Sequence, residues 1–357
     1  MILLHKIYSI CKERSTSLVS ILRRSRMVQA SLFLALVAIP LFYTTIHVFT
    51  VDMEHVTKDT MPHYIYIDRD DSPDSVRYKS GIGWRWNVYS TLLKYKTRTG
   101  CYLIKPSDKA LAVYRSLRNG AQNPIMLTIP SARTMDRLAQ RLSVKLQLDS
   151  AEIAQALTDS LFCARYGYDT STIPSAFIPN TYEVYWDMSV DQLMKRMVHE
   201  HDAFWNEERR QKASKMNMSP EEVATLASIV DEETANDGEK PMIAGMYINR
   251  LNIGMPLQAD PTVKFAMGDF ALRRIYNQHL QTDNPYNTYK HAGLPPGPIC
   301  IPSIAGLDAV LNYCRHDYLY MCAKEDFSGS HNFARSYSEH LQNARRYTKA
   351  LNQRNIH

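Results

Sequence analysis

Apolar positions along the chain fall into three regimes. The first is a charge-free run from Met27 to Val51, with LFLALVAIPLFY at its heart. As a helix it extends about 37 Å at 1.5 Å per residue, enough to cross a bilayer with some tilt. Pro40 is expected to kink it, which membrane helices tolerate. The second regime mixes two-residue and helical periods. HYIYID (63–68) alternates as a strand, and SVRY (75–78) reads as a second short strand. WNVYSTLLKY (86–95) reads as a helix and TGCYLI (99–104) as a strand. SDKALAVYRSLR (107–118) reads as a helix capped by Ser107 and stopped at Asn119-Gly120. Residues 52–62 in between read as a tether, and 63–120 as a small α+β module.

In the third regime, residues 121–357, helical periods dominate. Strands are expected at 123–129 (NPIMLTI), 177–186 (FIPNTYEVYW) and 318–323 (YLYMCA). Helices are expected at 134–148, 150–159, 189–212, 219–234, 241–251, 303–314 and 338–354, the last of them basic. The segment 254–262 is extended and turns at Asp260-Pro261, and 284–299 is rich in turn formers. The fold class is therefore α+β: a transmembrane helix, a small α+β module and a larger α+β domain.

One helix carries the most chemistry, SPEEVATLASIVDEET (219–234). Ser219 caps it, Pro220 suits its first position, and Glu222 completes a capping box. It ends in three consecutive acids, Asp231, Glu232 and Glu233. A helix turns about 100° per residue, so these cannot share a face. Glu232 lines up with Thr225 and Ser228, the polar side, and Asp231 lies near Ala224 and Ala227. Glu233 continues the stripe of Leu226, Ile229 and Val230. A carboxylate on a buried side loses hydration, which raises its pKa and suits it to donate a proton. The same pattern also fits a structural ion pair at the helix end.

Charge narrows the partners. Residues 1–26 carry six bases against one acid, +5 of the chain's +6, so the remainder is near neutral and offers no basic domain for nucleic acid. A basic leader before an apolar run places the amino terminus in the cytoplasm and the rest outside. The run's 25 residues and the lack of a small-x-small site before Asp52 favour a retained anchor over a cleaved signal peptide. The six cysteines show no C-x-x-C spacing and are expected to pack as small apolar residues. His331 and His340 have no third ligand at suitable spacing, which argues against zinc.

Other candidates have a binding and a structural reading each. The rings interleaved in 177–186, Tyr182 among them, suit a sugar-stacking floor or a core strand. Glu183 and Asp260 are candidate second carboxylates, and Asp260 also sits where it could cap a helix. Arg250 suits a carboxylate partner or a helix C-terminal charge. Asn287, Thr288 and Tyr289 offer donors, acceptors and ring faces on a loop, or ordinary turn chemistry.

The ordered series LASIVDEET, IAGMYINRL, GMPLQADPTV, YNTY, GLPPGPI and SHNF resembles the endolytic murein transglycosylases, the YceG-like family. FIPNTY resembles the family's F-x-P-D-T-Y, with Asn180 for Asp, and TGCYLIKPSDKA its AGTYRF-then-helix pattern. The resemblance implies that Glu233, last acid of the E-x-E-T motif, is catalytic, and here Asp231 replaces the first Glu. It implies glycan-facing roles for Gln258, Asp260 and His331, a LysM-like module at 63–120 that binds glycan or acts as a spacer, and a YceG-like catalytic domain at 121–357. The implied reaction is endolytic cleavage of the β-1,4 bond between N-acetylmuramic acid and N-acetylglucosamine, leaving a 1,6-anhydro end and needing no cofactor. The implied partners are peptidoglycan strands and cytoplasmic-membrane lipid, with peptidoglycan synthases as further candidates. A lysozyme-type hydrolase and a non-catalytic glycan-binding scaffold are the rival readings.

Overall fold

The structure, a computed structural model, describes residue 20 and residues 24–272 and 274–354. Most of the basic leader expected at 1–26, with Cys11, lies outside the described residues. The chain divides into two compact units, the first running through Asn123 and the second from Pro124 onward.

The first unit begins with α1 (Arg24–Thr50), a 27-residue helix whose apolar side chains are largely exposed. By length and composition it can cross a membrane. It winds as a π-turn over Leu34–Ala38, directly before Pro40. Proline has no N–H and its ring crowds the carbonyl four residues back, so the wider turn relieves that clash. Residues 53–57 do not form an open tether. They make the short helix α2 (Met53–Thr57), with Met53 fully buried and backbone bonds from Met53 and Glu54 to Asp108 and Pro106. Strand β1 (His63–Ile67) pairs antiparallel with β2 (Gly100–Ile104), Ile65 opposite Tyr102. Between them lie α3 (Pro73–Ser80) and α4 (Arg85–Leu93), and α5 (Ala110–Asn119) follows.

Residues 75–78, expected as a strand, lie in α3. Ser72 accepts from the Ser75 N–H and Pro73 takes the first helical position, a start signal stronger than the local alternation. Helix α5 begins later than Ser107 and lacks a side-chain cap, because Asp108 bonds back to Lys105 in a turn. It stops as expected at Gly120, in the left-handed region at φ +72°.

The second unit has two adjoining cores. The first gathers β3 (Ile125–Thr128), α6 (Met135–Ser143), α7 (Ser150–Thr158), α8 (Ser160–Ala164), β4 (Thr181–Val184) and α9 (Val190–Phe204). β3 and β4 pair antiparallel, Leu127 opposite Tyr182. Helix α6 buries Met135, Leu138, Ala139 and Leu142, a clean 3–4 spacing that leaves Arg137 and Arg141 outward. The long helix expected at 189–212 is broken. Asn206 caps a new helix, α10 (Glu207–Lys215), after Trp205 leaves the helical region and buries its ring.

The second core surrounds α11 (Pro220–Glu233), with α12 (Lys240–Asn252), α13 (Asp260–Met267) and α14 (Ile304–Leu311) against or near it. A two-stranded sheet of β5 (Tyr320–Ala323) and β6 (His331–Ala334) and the closing α15 (Tyr337–Gln353) complete the unit. α11 starts with the full capping box of Ser219 and Glu222. Every residue from Val223 to Val230 is buried, so the expected polar side is not a solvent face. Ser228 is wholly enclosed, donating to the Thr225 carbonyl and accepting from the Ile299 N–H.

Asp231 ties the end of α11 to the start of α14. Its carboxylate accepts from the Ser303 N–H at 2.6 Å and the Ser303 hydroxyl at 2.8 Å, and pairs with the buried Lys240 at 2.8 Å. Ser303 in turn caps α14 through the Gly306 N–H. A Cβ on Gly306 would stand 2.6 Å from both Asp231 oxygens. Glycine to alanine inside a helix ordinarily stabilises by about 1 kcal/mol. Here the pinned carboxylate cannot yield, so Gly306→Ala is expected to destabilise by about 1–3 kcal/mol in thermal or denaturant unfolding. A stabilised variant would show that the Asp231 latch is loose.

Candidate active site

Glu233 is the last residue of α11 and half-buried. Its Oε1 accepts a 2.6 Å hydrogen bond from the hydroxyl of Tyr247, a nearly inaccessible residue on α12. Burial is the largest influence on this carboxyl and pushes its pKa up. The Tyr247 bond acts against that shift, the negative charge of Asp260 adds to it, and the charges of His331 and Lys264 reduce it. The net direction is upward, towards a carboxylic acid still protonated where ordinary glutamates are ionised. Burial and the Glu233 charge likewise raise the Tyr247 phenol well above its usual value, so it remains a donor.

The other two acids go elsewhere, as the 100° step requires. Asp231 holds Ser303 and Lys240. Glu232 forms a two-bond ion pair with Arg133, at 2.8 and 2.7 Å. Each has a cation in contact, whereas Glu233 has the neutral phenol.

Three of the sequence candidates assemble around Glu233. Asp260, the first residue of α13, is exposed and accepts from the Tyr289 hydroxyl at 2.7 Å. It does not cap its helix, a place held by Ala259. Burial, then the Asp260 carboxylate, raises the Tyr289 pKa. His331 opens β6, and its N–H and Nδ1 meet the buried Glu239 carboxylate at 2.7 and 2.9 Å. The Thr234 hydroxyl also donates to Glu239, at 3.5 Å, tying the residue after Glu233 to the same anchor.

Gln258 is exposed at φ +50°, a strained conformation for a non-glycine residue. Its N–H donates to the Thr288 carbonyl at 3.1 Å. Asn287 and Thr288, expected to face a ligand, are instead enclosed, at 0% and 1% exposure. Asn287 donates to the Leu280 and Thr282 carbonyls and accepts from the Tyr289 N–H. Thr288 accepts from the Ala259 N–H and meets the Thr262 hydroxyl. Their polar atoms are spent on fixing the loop that carries Tyr289 and the segment that carries Gln258 and Asp260.

Tyr182 is also enclosed. It lies in the core between β4 and α9, with its hydroxyl bonded to the Ile178 carbonyl, so it is no open stacking floor. Glu183 alternates to the exposed face of β4. Among the described residues Arg250 meets no carboxylate. It donates to the carbonyls of Leu319, Pro256 and Leu257, clamping the backbone ahead of Gln258.

Sequence reasoning missed Tyr247, Glu239 and Lys264. Tyr247 had a signal: a hydroxyl among the apolar positions of helix 241–251 needs a buried partner. Glu239 and Lys264 had none, since only the return of β6 and α13 to the end of α11 gives them a role.

The chain has known relatives. It is 27% identical over 300 residues to the endolytic murein transglycosylase of Bacillus subtilis (strain 168), covering 78% of this chain and 82% of that one. It is 28% identical to the protein of the same name from Streptococcus pneumoniae serotype 2 (strain D39), covering 74% of this chain and 54% of that longer one. The crystal structure of a YceG-like protein from Listeria monocytogenes matches at a TM-score of 0.54 with 26% identity, over 80% of this chain and 99% of that one. The profile of the YceG-like family matches residues 75–346, a span that contains Glu233, Tyr247, Asp260, Tyr289 and His331. With the motif series in order and the profile covering most of its length, the chain belongs to the YceG-like family.

Proposed function

We propose that this protein is a membrane-anchored endolytic transglycosylase. It cleaves the β-1,4 bond between N-acetylmuramic acid and N-acetylglucosamine in nascent peptidoglycan, leaves a 1,6-anhydro end, and so terminates strand growth. The observation that carries the reading is the half-buried Glu233, raised in pKa and held by Tyr247. The names of the bacillary and streptococcal relatives support the same reaction class.

The mechanism follows from one carboxyl acting twice. As an acid, Glu233 protonates the glycosidic oxygen and the bond to the anomeric carbon breaks, leaving an oxocarbenium-like centre. The resulting carboxylate, stabilised by the Tyr247 hydroxyl, takes the proton from the sugar's own 6-hydroxyl as that oxygen attacks. The acid is restored and no water enters. Attack within one residue carries a large entropic advantage. Gln258, Asp260, Tyr289 and His331 bind the glycan, while Asn287, Thr288 and Tyr182 hold the scaffold under them. Helix α1 anchors the protein in the cytoplasmic membrane with residues 1–26 inside, and 52–357 work outside close to the bilayer. The unit at 63–120 serves as a spacer or LysM-like glycan module.

Glu233→Gln is expected to cut product formation by at least about 10²-fold. Digestion of purified glycan followed by mass spectrometry reads the new ends, and an anhydro end is lighter than a hydrolysed one by one water. Ends carrying that water would assign a hydrolase, with Asp260 as its second carboxylate. The same variant should be as stable as the wild type or more so once the pH exceeds the folded-state pKa of Glu233. A raised folded-state pKa means the native protein binds more protons than the unfolded chain, so wild-type stability falls as pH climbs from the unfolded pKa through the folded one. The glutamine removes that loss.

Tyr247→Phe tests the phenol. Its bond lowers the Glu233 pKa, so its removal should move the alkaline limb of the pH–rate profile to higher pH and reduce the maximal rate, with the fold intact by circular dichroism. An unmoved limb would detach Tyr247 from the acid.

A further inference from the structure

A hollow of about 470 Å³ lies beside the end of α11, lined by Arg133, Arg137, Arg141, Glu232, Ser131 and Phe270 among others. That volume falls within the roughly 300–1,000 Å³ of small-ligand sites. Arg137 and Arg141 stand one turn apart on the exposed face of α6. Glu232 neutralises Arg133 through its two-bond pair, and Arg133 also lies over the Phe270 ring at 5.5 Å. Among the described residues neither Arg137 nor Arg141 forms an ion pair, so the hollow keeps two uncommitted guanidinium groups.

The walls are held. The Ser131 hydroxyl donates to the Ile301 carbonyl at 2.7 Å and the Ile301 N–H returns to the Ala132 carbonyl at 2.9 Å. The same chain continues to Ser303, where Asp231 grips it. Glu232 also fixes the hollow's position relative to the chemistry, because its Cα is about 3.8 Å from that of Glu233.

We propose that this hollow is a second substrate subsite, which takes a carboxylate of the short peptide branching from the glycan beside the cleaved bond. The proposal rests on the reading of Glu233 as the acid of a glycan-cleaving enzyme. Planar guanidinium groups bind carboxylates through paired hydrogen bonds, and two of them one helical turn apart suit a peptide bearing more than one acid. The ion pair of Glu232 with Arg133 keeps the total positive charge modest and orients the third guanidinium against Phe270. A peptide held there would fix the register of the sugar chain over Glu233.

The test compares two substrates with the full-length protein: glycan strands carrying their peptides, and the same strands after the peptides are removed by an amidase. New ends are counted by mass spectrometry, and KM and kcat are taken for each. The wild type is expected to favour the peptide-bearing strands through a lower KM. In Arg137→Gln/Arg141→Gln that preference should shrink about tenfold, as expected for losing charge-assisted bonds. Arg137→Lys/Arg141→Lys should restore part of it. A preference unchanged in the glutamine variant, or a wild type with no preference, overturns the subsite while leaving Glu233's role intact. A wild type that cleaves neither substrate overturns the cleavage reading and the subsite with it. Equal losses on both substrates assign the arginines to the glycan or the fold, and also overturn it.

Discussion

Three consecutive carboxylates at the C-terminal end of one buried helix are the constraint that shapes the rest of this domain. The end of a helix already carries partial negative charge from its unpaired carbonyls. Adding Asp231, Glu232 and Glu233 there is costly unless each charge is met or removed. The structure meets two with cations, Lys240 for Asp231 and Arg133 for Glu232. The third is met by a phenol, which can donate a hydrogen bond but cannot neutralise a charge. Burial then raises the pKa of Glu233, which favours the protonated form over the charged one. The proposed acid is thus a product of unequal partnering among neighbours in sequence.

The rest of the unit is arranged to hold that inequality in place. Asp231 locks the end of α11 to the cap of α14 and takes the buried Lys240 as its own partner. Glu239 grips His331 and reaches Thr234, joining β6 to the residue after the acid. Arg250 and the enclosed Asn287 and Thr288 spend their hydrogen bonds on carbonyls and amides of the segments that present Gln258, Asp260 and Tyr289. Polar groups that could have served as ligands serve as framework, because a buried donor or acceptor without a partner costs more than it contributes. The strained Gln258 backbone is one place where the framework holds a conformation the residue would not choose.

The first unit follows the same rule of satisfying groups locally. The π-turn before Pro40 accommodates the residue that cannot join the hydrogen-bond ladder, and α1 stays continuous through Thr50. Residues 53–57 are drawn into the unit because Met53 gains burial and the backbone gains partners at Pro106 and Asp108. Asp52 adds an ion pair with Lys109 at 2.8 Å. A segment read as a tether is therefore structured by Met53, with Val56 packed against the same core, and by two backbone amides.

What the sequence determined by itself was whatever depends on near neighbours along the chain. The capping box at Ser219, the stop at Gly120, the apolar run of α1 and the angular separation of Asp231, Glu232 and Glu233 all follow from spacings of a few residues. The prediction failed where two local signals competed, as at 75–78, where the Ser72-Pro73 start outweighed a strand-like alternation. It also failed where a side chain's fate depends on a distant segment. Ser228, read on the polar side of its helix, is enclosed by 299–300, and Asn287, Thr288 and Tyr182, which the sequence left open to a binding or a structural reading, are closed over by the core. Tyr247, Glu239 and the arginine-lined hollow come together only through tertiary packing. Burial and long-range pairing are set by what the whole chain brings within a few ångströms, and no periodicity within one helix encodes that distance.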